Sequence, residues 1–173
     1  MTRKSLILIL LFLLIGFSII FMNYQQSEKE IGETGITVNL YFATKDAMYL
    51  EAEERIIKSE GVSSKYMETI KQLITGPHSN KLTTTIPQGV EILDIEHRGE
   101  TAYLNFNEDL VNNHWGGSTG EIMTVYSIVN TMTQFPEISS VKIMIENKEI
   151  ETLAGHLDLS VSLERDENII KKE

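Results

Sequence analysis

The stretch from Gly116 to Ile145, GGSTGEIMTVYSIVNTMTQFPEISSVKIMI, constrains the fold most, because a complete helix and the strand after it can be written from its residue types. Ser118 and Glu121 stand as Ser-x-x-Glu, the spacing of a capping box, in which the serine oxygen takes an amide of the first turn and the glutamate reaches back. Ile122, Val125, Tyr126, Val129, Met132 and Phe135 recur at three- and four-residue steps. That spacing predicts one buried helical face, with Thr124, Ser127, Asn130, Thr131 and Gln134 mostly off it. Pro136 cannot continue the helix. Beyond it Val141, Ile143 and Ile145 alternate with Lys142 and Met144, the pattern of a half-buried strand. Helix, sharp stop and strand together predict a helix packed on a sheet.

The rest of the folded part reads around this unit. Ile36, Val38, Leu40 and Phe42 alternate with Thr37, Asn39 and Tyr41, a strong strand signal, and Met48–Leu50 and Glu53–Ile57 are weaker candidates for a second strand or hairpin. Ser63 or Ser64 can cap a helix in which Tyr66, Met67, Ile70, Leu73 and Ile74 share a face and which ends at Gly76-Pro77. His78 to Gly89 reads as a polar loop. Val90–His97 and Thr101–Asn107 flank Arg98-Gly99-Glu100 as a hairpin, with Ile92, Leu93 and Ile95 facing Ala102, Leu104 and Phe106. Asn107 to Gly117 reads as a loop. After the strand at Val141–Ile145, Glu146-Asn147-Lys148 forms a turn in which Asn147 can take the left-handed conformation. This order predicts an α+β fold, two helices packed on one mostly antiparallel or mixed sheet.

Ahead of this domain, Leu6 to Met22 is seventeen residues without a charge, roughly 25 Å as a helix, which spans a bilayer core with help from Ser5, Asn23 and Tyr24. The following FMNYQQSEKE offers no small-x-small cleavage site, so an uncleaved anchor is expected rather than a secretory signal. Arg3 and Lys4 precede the run, so the N-terminus is expected in the cytoplasm and the rest outside, a single pass of the plasma membrane; in a Gram-positive-type envelope, the expected setting, that is the space between membrane and wall. The expected organisation is a cytoplasmic N-terminus at 1–5, an anchor at 6–22, a polar linker at 23–35, a domain at 36–160 and a charged tail at 161–173.

Composition excludes several functions. The 173 residues hold no cysteine, which removes disulfides, thiolate metal sites, cysteine nucleophiles and a cysteine-linked lipid anchor. Of 15 basic residues two precede the anchor, leaving 13 against 25 acidic ones, a net charge of about −12 that disfavours nucleic acid and anionic lipid surfaces.

Five pieces follow one another along the chain: Leu73-Ile74-x-Gly76-Pro77, Ile86-Pro87-x-Gly89, Ala102-Tyr103-Leu104-Asn105-Phe106, Ile128-Val129-Asn130-Thr131-Met132-Thr133-Gln134-Phe135-Pro136 running into Val141, and Gly155-His156. In this order they resemble the GerMN domain, found in GerM-type sporulation and germination proteins. The resemblance covers about Ile36 to Ser160. It implies an extracytoplasmic, non-catalytic domain related in fold to ring-building motifs, which assemble side by side in envelope-spanning complexes of sporulating cells. The chain departs from the best-known members in its transmembrane run without a lipobox cysteine, its single copy where they carry two in tandem, and Glu146-Asn147-Lys148 where a glycine turn is usual.

Candidate chemistry is sparse. His78, His97, His114 and His156 have no ligand spacing, and neither His-Glu-x-x-His nor a phosphate-cradling glycine loop is present, so no metal and no cofactor are expected. Glu51, Glu53 and Glu54 are the carboxylates a wall hydrolase would need as a pair. Ser118 is central in Gly116-Gly117-Ser118-Thr119-Gly120, which spells Gly-x-Ser-x-Gly, but it follows an expected loop where a nucleophile elbow follows a strand, and it is expected as a helix cap. No catalytic residue is expected. Trp115, the only tryptophan, sits in Asn112-Asn113-His114-Trp115-Gly116-Gly117, where it either plugs the core edge or, with His114 and Asn113, forms a contact surface. Asn130 and Thr131 are expected to find partners on a loop or sheet within the domain. The expected function is a membrane-anchored binding or scaffold protein for envelope or sporulation proteins, with self-association and peptidoglycan as further candidate partners. A glycan-binding module and a wall hydrolase are the alternatives.

Overall fold

The computed structural model describes residues 35–59 and 61–172. The expected cytoplasmic N-terminus, anchor and linker up to residue 34 lie outside the described residues. Among the described residues, no helix is long and apolar enough to cross a membrane. The elements in order are β1 (Gly35–Thr44), β2 (Leu50–Lys58), α1 (Val62–Ile74), β3 (Leu82–Thr83), β4 (Ile92–Arg98), β5 (Thr101–Phe106), α2 (Asp109–Asn112), α3 (Ser118–Met132), β6 (Ser140–Ile145), β7 (Lys148–Glu149) and β8 (Leu163–Glu164).

The fold is α+β, as expected, but the single sheet is replaced by two. One is three-stranded in the order β2-β1-β3; the other runs β4-β5-β6-β7, with β8 also pairing with β6. The second sheet is mixed because β5 and β6 are parallel, and a parallel pair needs a long crossover, here α2 and α3. One apolar core joins the sheets and helices: Val38, Leu40 and Phe42 of β1 meet Leu104 and Phe106 of β5, Ile70 and Leu73 of α1, and Val125, Ile128 and Met132 of α3. A smaller cluster on the other face of β1 holds Tyr41, Ala43, Leu50 and Met123, with Ile169 and Ile170 against it. The segment expected as a charged tail is thus fastened to the first hairpin.

Local signals hold where the chemistry is local. Helix α1 ends at Ile74, and Gly76 takes a φ of 86° before Pro77. Strands β4 and β5 pair around Gly99-Glu100 with Ile95 opposite Leu104, and a bulge between Ile92 and Asp94 turns Leu93 outward. Glu146 and Asn147 both adopt left-handed φ, at 49° and 63°, in the turn between β6 and β7. Gly89 has a φ of 84°, and a Cβ there would lie 2.7 Å from the Asp109 carboxylate, so the Ile-Pro-x-Gly turn requires glycine on two counts.

Three expectations fail for one reason, burial by distant segments. Helix α3 is buried almost all round, including Thr124, Ser127, Asn130 and Thr131, instead of on one face. Lys142 of β6 is buried rather than on an exposed face; its Nζ donates to the carbonyls of Leu159 and Ser160 and lies 3.1 Å from Glu149. The capping box does not form. Gly117 is the N-cap with no side-chain cap bond, and Glu121 turns away from its own helix end.

The two long edges of the first hairpin differ. On the β1 side, the Gln134 amide accepts from the Asn39 amide at 2.7 Å and donates to its carbonyl at 2.9 Å, copying a strand partner. Thr131 Oγ1 accepts from the Tyr41 amide at 3.1 Å, and β3 pairs with Ala43 and Thr44. On the β2 side, Leu50 is paired, its amide donating to Ile169 and its carbonyl accepting from Lys171. Among the described residues nothing pairs with the outer backbone of Ala52, Glu54 and Ile56.

Candidate functional site

Glu121 is fully buried. Its carboxylate accepts from the Thr152 hydroxyl at 2.5 Å and from the amides of Leu153, Ala154 and His156 at 2.8 to 2.9 Å. Burial would raise its pKa, but these donors outweigh burial and hold it below the usual carboxylate range. Glu121 therefore clamps the Gly155-His156 loop onto α3. Glu53 has the same kind of place: burial opposes ionisation, yet the amides of His78 and Ser79 and the Arg55 guanidinium lower its pKa. Arg55 is buried on the core face of β2, where it donates to the carbonyls of Gln72 and Gly76 at the end of α1 and lies over the Phe42 ring. Of the three carboxylates considered for hydrolysis, Glu53 is thus a structural anion, Glu51 pairs with Lys171 at 2.7 Å, and Glu54 is exposed.

The histidines keep separate company. His97 contacts the Glu137 carbonyl at 3.0 Å and the Tyr66 ring, His78 lies 3.9 Å from Glu53, and His156 gives its amide to Glu121. Among the described residues no group of three histidines and carboxylates could hold a metal ion.

The predicted contact residues separate into one exposed ring and two supports. Trp115 is 54% exposed and stacks on His114, with ring centroids 5.3 Å apart and planes 21° apart. It lies over Gly120 in the first turn of α3, where a Cβ would come within 2.7 Å of the indole nitrogen, so only glycine leaves the ring this seat. His114 is half-buried. Its Nδ1 accepts from the Gly116 amide and its Nε2 donates to Thr124 Oγ1, which in turn donates to the Thr85 carbonyl. Burial lowers the His114 pKa against the pull of Glu121, which favours the neutral ring that this bonding needs. Asn113 donates to the Gln88 carbonyl and fixes the loop.

Sequence reasoning missed other exposed apolar groups. Met48 and Tyr49 at the tip of the β1–β2 hairpin are 62% and 44% exposed, and Met48 shares a shallow groove of about 360 Å³ with Thr119, Ile122, Met123 and Ile169. This groove lies at the same end of α3 as Trp115. Ile56, on β2, is 76% exposed. The Ile56-Ile57 doublet was the available signal, since adjacent residues of a strand face opposite ways and Ile57 is buried. Of the motif residues, Thr131 finds its partner in the sheet, at the Tyr41 amide, whereas Asn130 exchanges both amide bonds with the backbone of Asp166, in the segment expected as a tail.

Solved structures share this architecture. A Clostridium perfringens protein designated a lipoprotein is 26% identical with a TM-score of 0.55, over 75% of this chain and 87% of that one. The tandem GerMN domains of the sporulation protein GerM from Bacillus subtilis match at 20% identity and a TM-score of 0.64, over 76% of this chain and 46% of theirs. The first GerMN domain of the same protein matches at 18% and 0.58, over 77% of this chain and 98% of its own length. No curated protein sequence matches the chain. The model of the family Germane, sporulation and spore germination, matches residues 39–151, which run from the Gln134-capped Asn39 of β1 past β7. With most of its length inside that match, this GerM-like, GerMN-domain chain belongs to the Germane family of sporulation and spore germination.

Proposed function

We propose that the chain is a non-catalytic, membrane-anchored scaffold that acts outside the cytoplasm in sporulation or spore germination by binding other envelope proteins. The family and the charge-free run Leu6–Met22 behind Arg3 and Lys4 support this reading, as does the lipoprotein designation of the Clostridium perfringens relative. The observation that carries the binding role is the set of exposed apolar side chains on rigid supports, Trp115 on Gly120 and Met48 over the α3 groove. Exposed apolar groups seated on firm backbone lose little entropy on binding and serve as interface anchors.

Crosslinking in intact cells from outside the membrane, followed by mass spectrometry of whatever is joined to the anchored protein, tests this reading. Defined protein partners, enriched in starved over growing cells, are the expected result. No protein partner in either condition overturns it.

A second reading rests on the half-exposed Trp115 ring flanked by Asn112 and Asn113, a surface suited to stacking on a sugar. Retention on purified peptidoglycan, lost in Trp115→Ala with folding intact, favours glycan binding over a protein partner.

A further inference from the structure

The outer edge of β2 has the features of a self-complementary surface. The Leu50 amide and carbonyl point away from β1 to the 169–171 segment. Because strand backbones alternate, those of Ala52, Glu54, Ile56 and Lys58 point the same way. Their side chains share one face of the sheet, opposite to Glu53, Arg55 and Ile57, and all are exposed. Ile56 leans across Gly35, where a Cβ would meet its Cγ2 at 2.8 Å, so the isoleucine lies on bare backbone. The C-terminal segment closes the edge at Leu50 and leaves Ala52, Glu54 and Ile56 open among the described residues.

We propose that this edge pairs with the β2 edge of a second copy about a two-fold axis through Ile56, which deepens the scaffold reading by naming one protein partner. Charge selects the register. An antiparallel pair centred on Ile56 sets the two isoleucines side by side and brings Glu54 opposite the partner's Lys58 twice, each a favourable cross-strand pair. Centring on Glu54 would oppose two like charges, and centring on Arg55 would set each Ile56 against a glutamate. In the chosen register the outward amide and carbonyl of each Ile56 exchange hydrogen bonds reciprocally with those of its counterpart. An ammonium has three donors, so Lys58 can serve the partner's carboxylate beside any interaction of its own. Such a contact uses the same patch on both copies and closes at two.

Because the natural chain has no cysteine, single cysteines report this contact in the full-length protein in its membrane. Ile56→Cys is expected to form a covalent dimer on mild oxidation. Leu93→Cys and Val161→Cys, on other exposed apolar positions, are expected to stay monomeric. Glu54→Cys mixed with Lys58→Cys should crosslink, and Glu54→Cys alone should not. Adding Glu54→Lys to Ile56→Cys should lower the dimer yield about tenfold, and Lys58→Glu on top should restore it. Ile56→Cys no more dimeric than the controls overturns the pairing, as does crosslinking of Ile56→Cys to a different protein. The latter result keeps the scaffold reading, whereas the absence of every protein partner removes both.

Discussion

The two long edges of the first hairpin present the same backbone chemistry and are finished by opposite means. Along β1, helix side chains stand in for a strand: Gln134 takes both polar groups of Asn39, and Thr131 takes the amide of Tyr41. Along β2, the chain pairs Leu50 and, among the described residues, leaves the outer backbone of Ala52, Glu54 and Ile56 bare. Closing an edge with side chains protects it from foreign strands without lengthening the sheet, while leaving an edge open keeps a template available for one. The contrast teaches that the polar residues of the motif Ile128–Pro136 serve as an internal fastening. The exposed side of the hairpin is the one without a motif.

The largest expected effect comes from removing what ties the hairpin to α1. Arg55→Ala strips the part-buried Glu53 carboxylate of its cation and two helix-end carbonyls of their donor, and urea unfolding should show a loss of ~3–5 kcal/mol. Gln134→Ala breaks the closed edge itself. It leaves the Asn39 amide and carbonyl without partners, and the same measurement should show ~1–3 kcal/mol, with faster amide exchange at Asn39 than at Val38.

Acid should act on the same closed side. Lys65 and the Tyr66 hydroxyl both donate to Glu137 at 2.5 Å and bring its pKa from the ordinary 4.5 to about 2. A carboxyl whose pKa is lower folded than unfolded stabilises fully above the unfolded value and loses that contribution as pH falls through the folded one. Stability should therefore drop between about pH 4.5 and 2, and Glu137→Gln should flatten part of that drop in a pH series of thermal melts. Glu53 and Glu121 shift in the same direction and add to the slope. The smallest effect belongs to the open edge. Ile56→Ala should change unfolding stability by less than ~0.5 kcal/mol while removing self-association in sedimentation of the detergent-solubilised chain. A large stability loss there would mean that Ile56 is held within the fold.

How much of this was legible depended on the distance between partners. The end of α1 at Gly76-Pro77, the β4–β5 turn and the left-handed Asn147 are decided by neighbouring residues, and the sequence patterns place them correctly. Glu121 was misread because Ser-x-x-Glu is a local pattern, whereas its actual donors lie 31 to 35 residues away. The same holds for Lys142, which looked solvent-facing until the 159–160 carbonyls arrived, and for Gln134, whose partner is 95 residues upstream. Two sheets could not be told from one, since alternation reports a buried face but not which layer covers it. At the candidate site Trp115, His114 and Asn113 were legible as a group, but their division into one exposed ring and two supports depended on Gly120 and Thr124, which lie on the next helix.

The fastening of the 165–171 segment has a consequence for how the chain is made. Arg165 reaches the Tyr41 hydroxyl across 124 residues, and Lys171 reaches Glu51 across 120. Strand β1 is therefore synthesised 120 or more residues before the segment that covers Tyr41, Ala43 and Leu50. During that interval an apolar patch on the first hairpin stands open, and closing so long a loop slows the step that covers it.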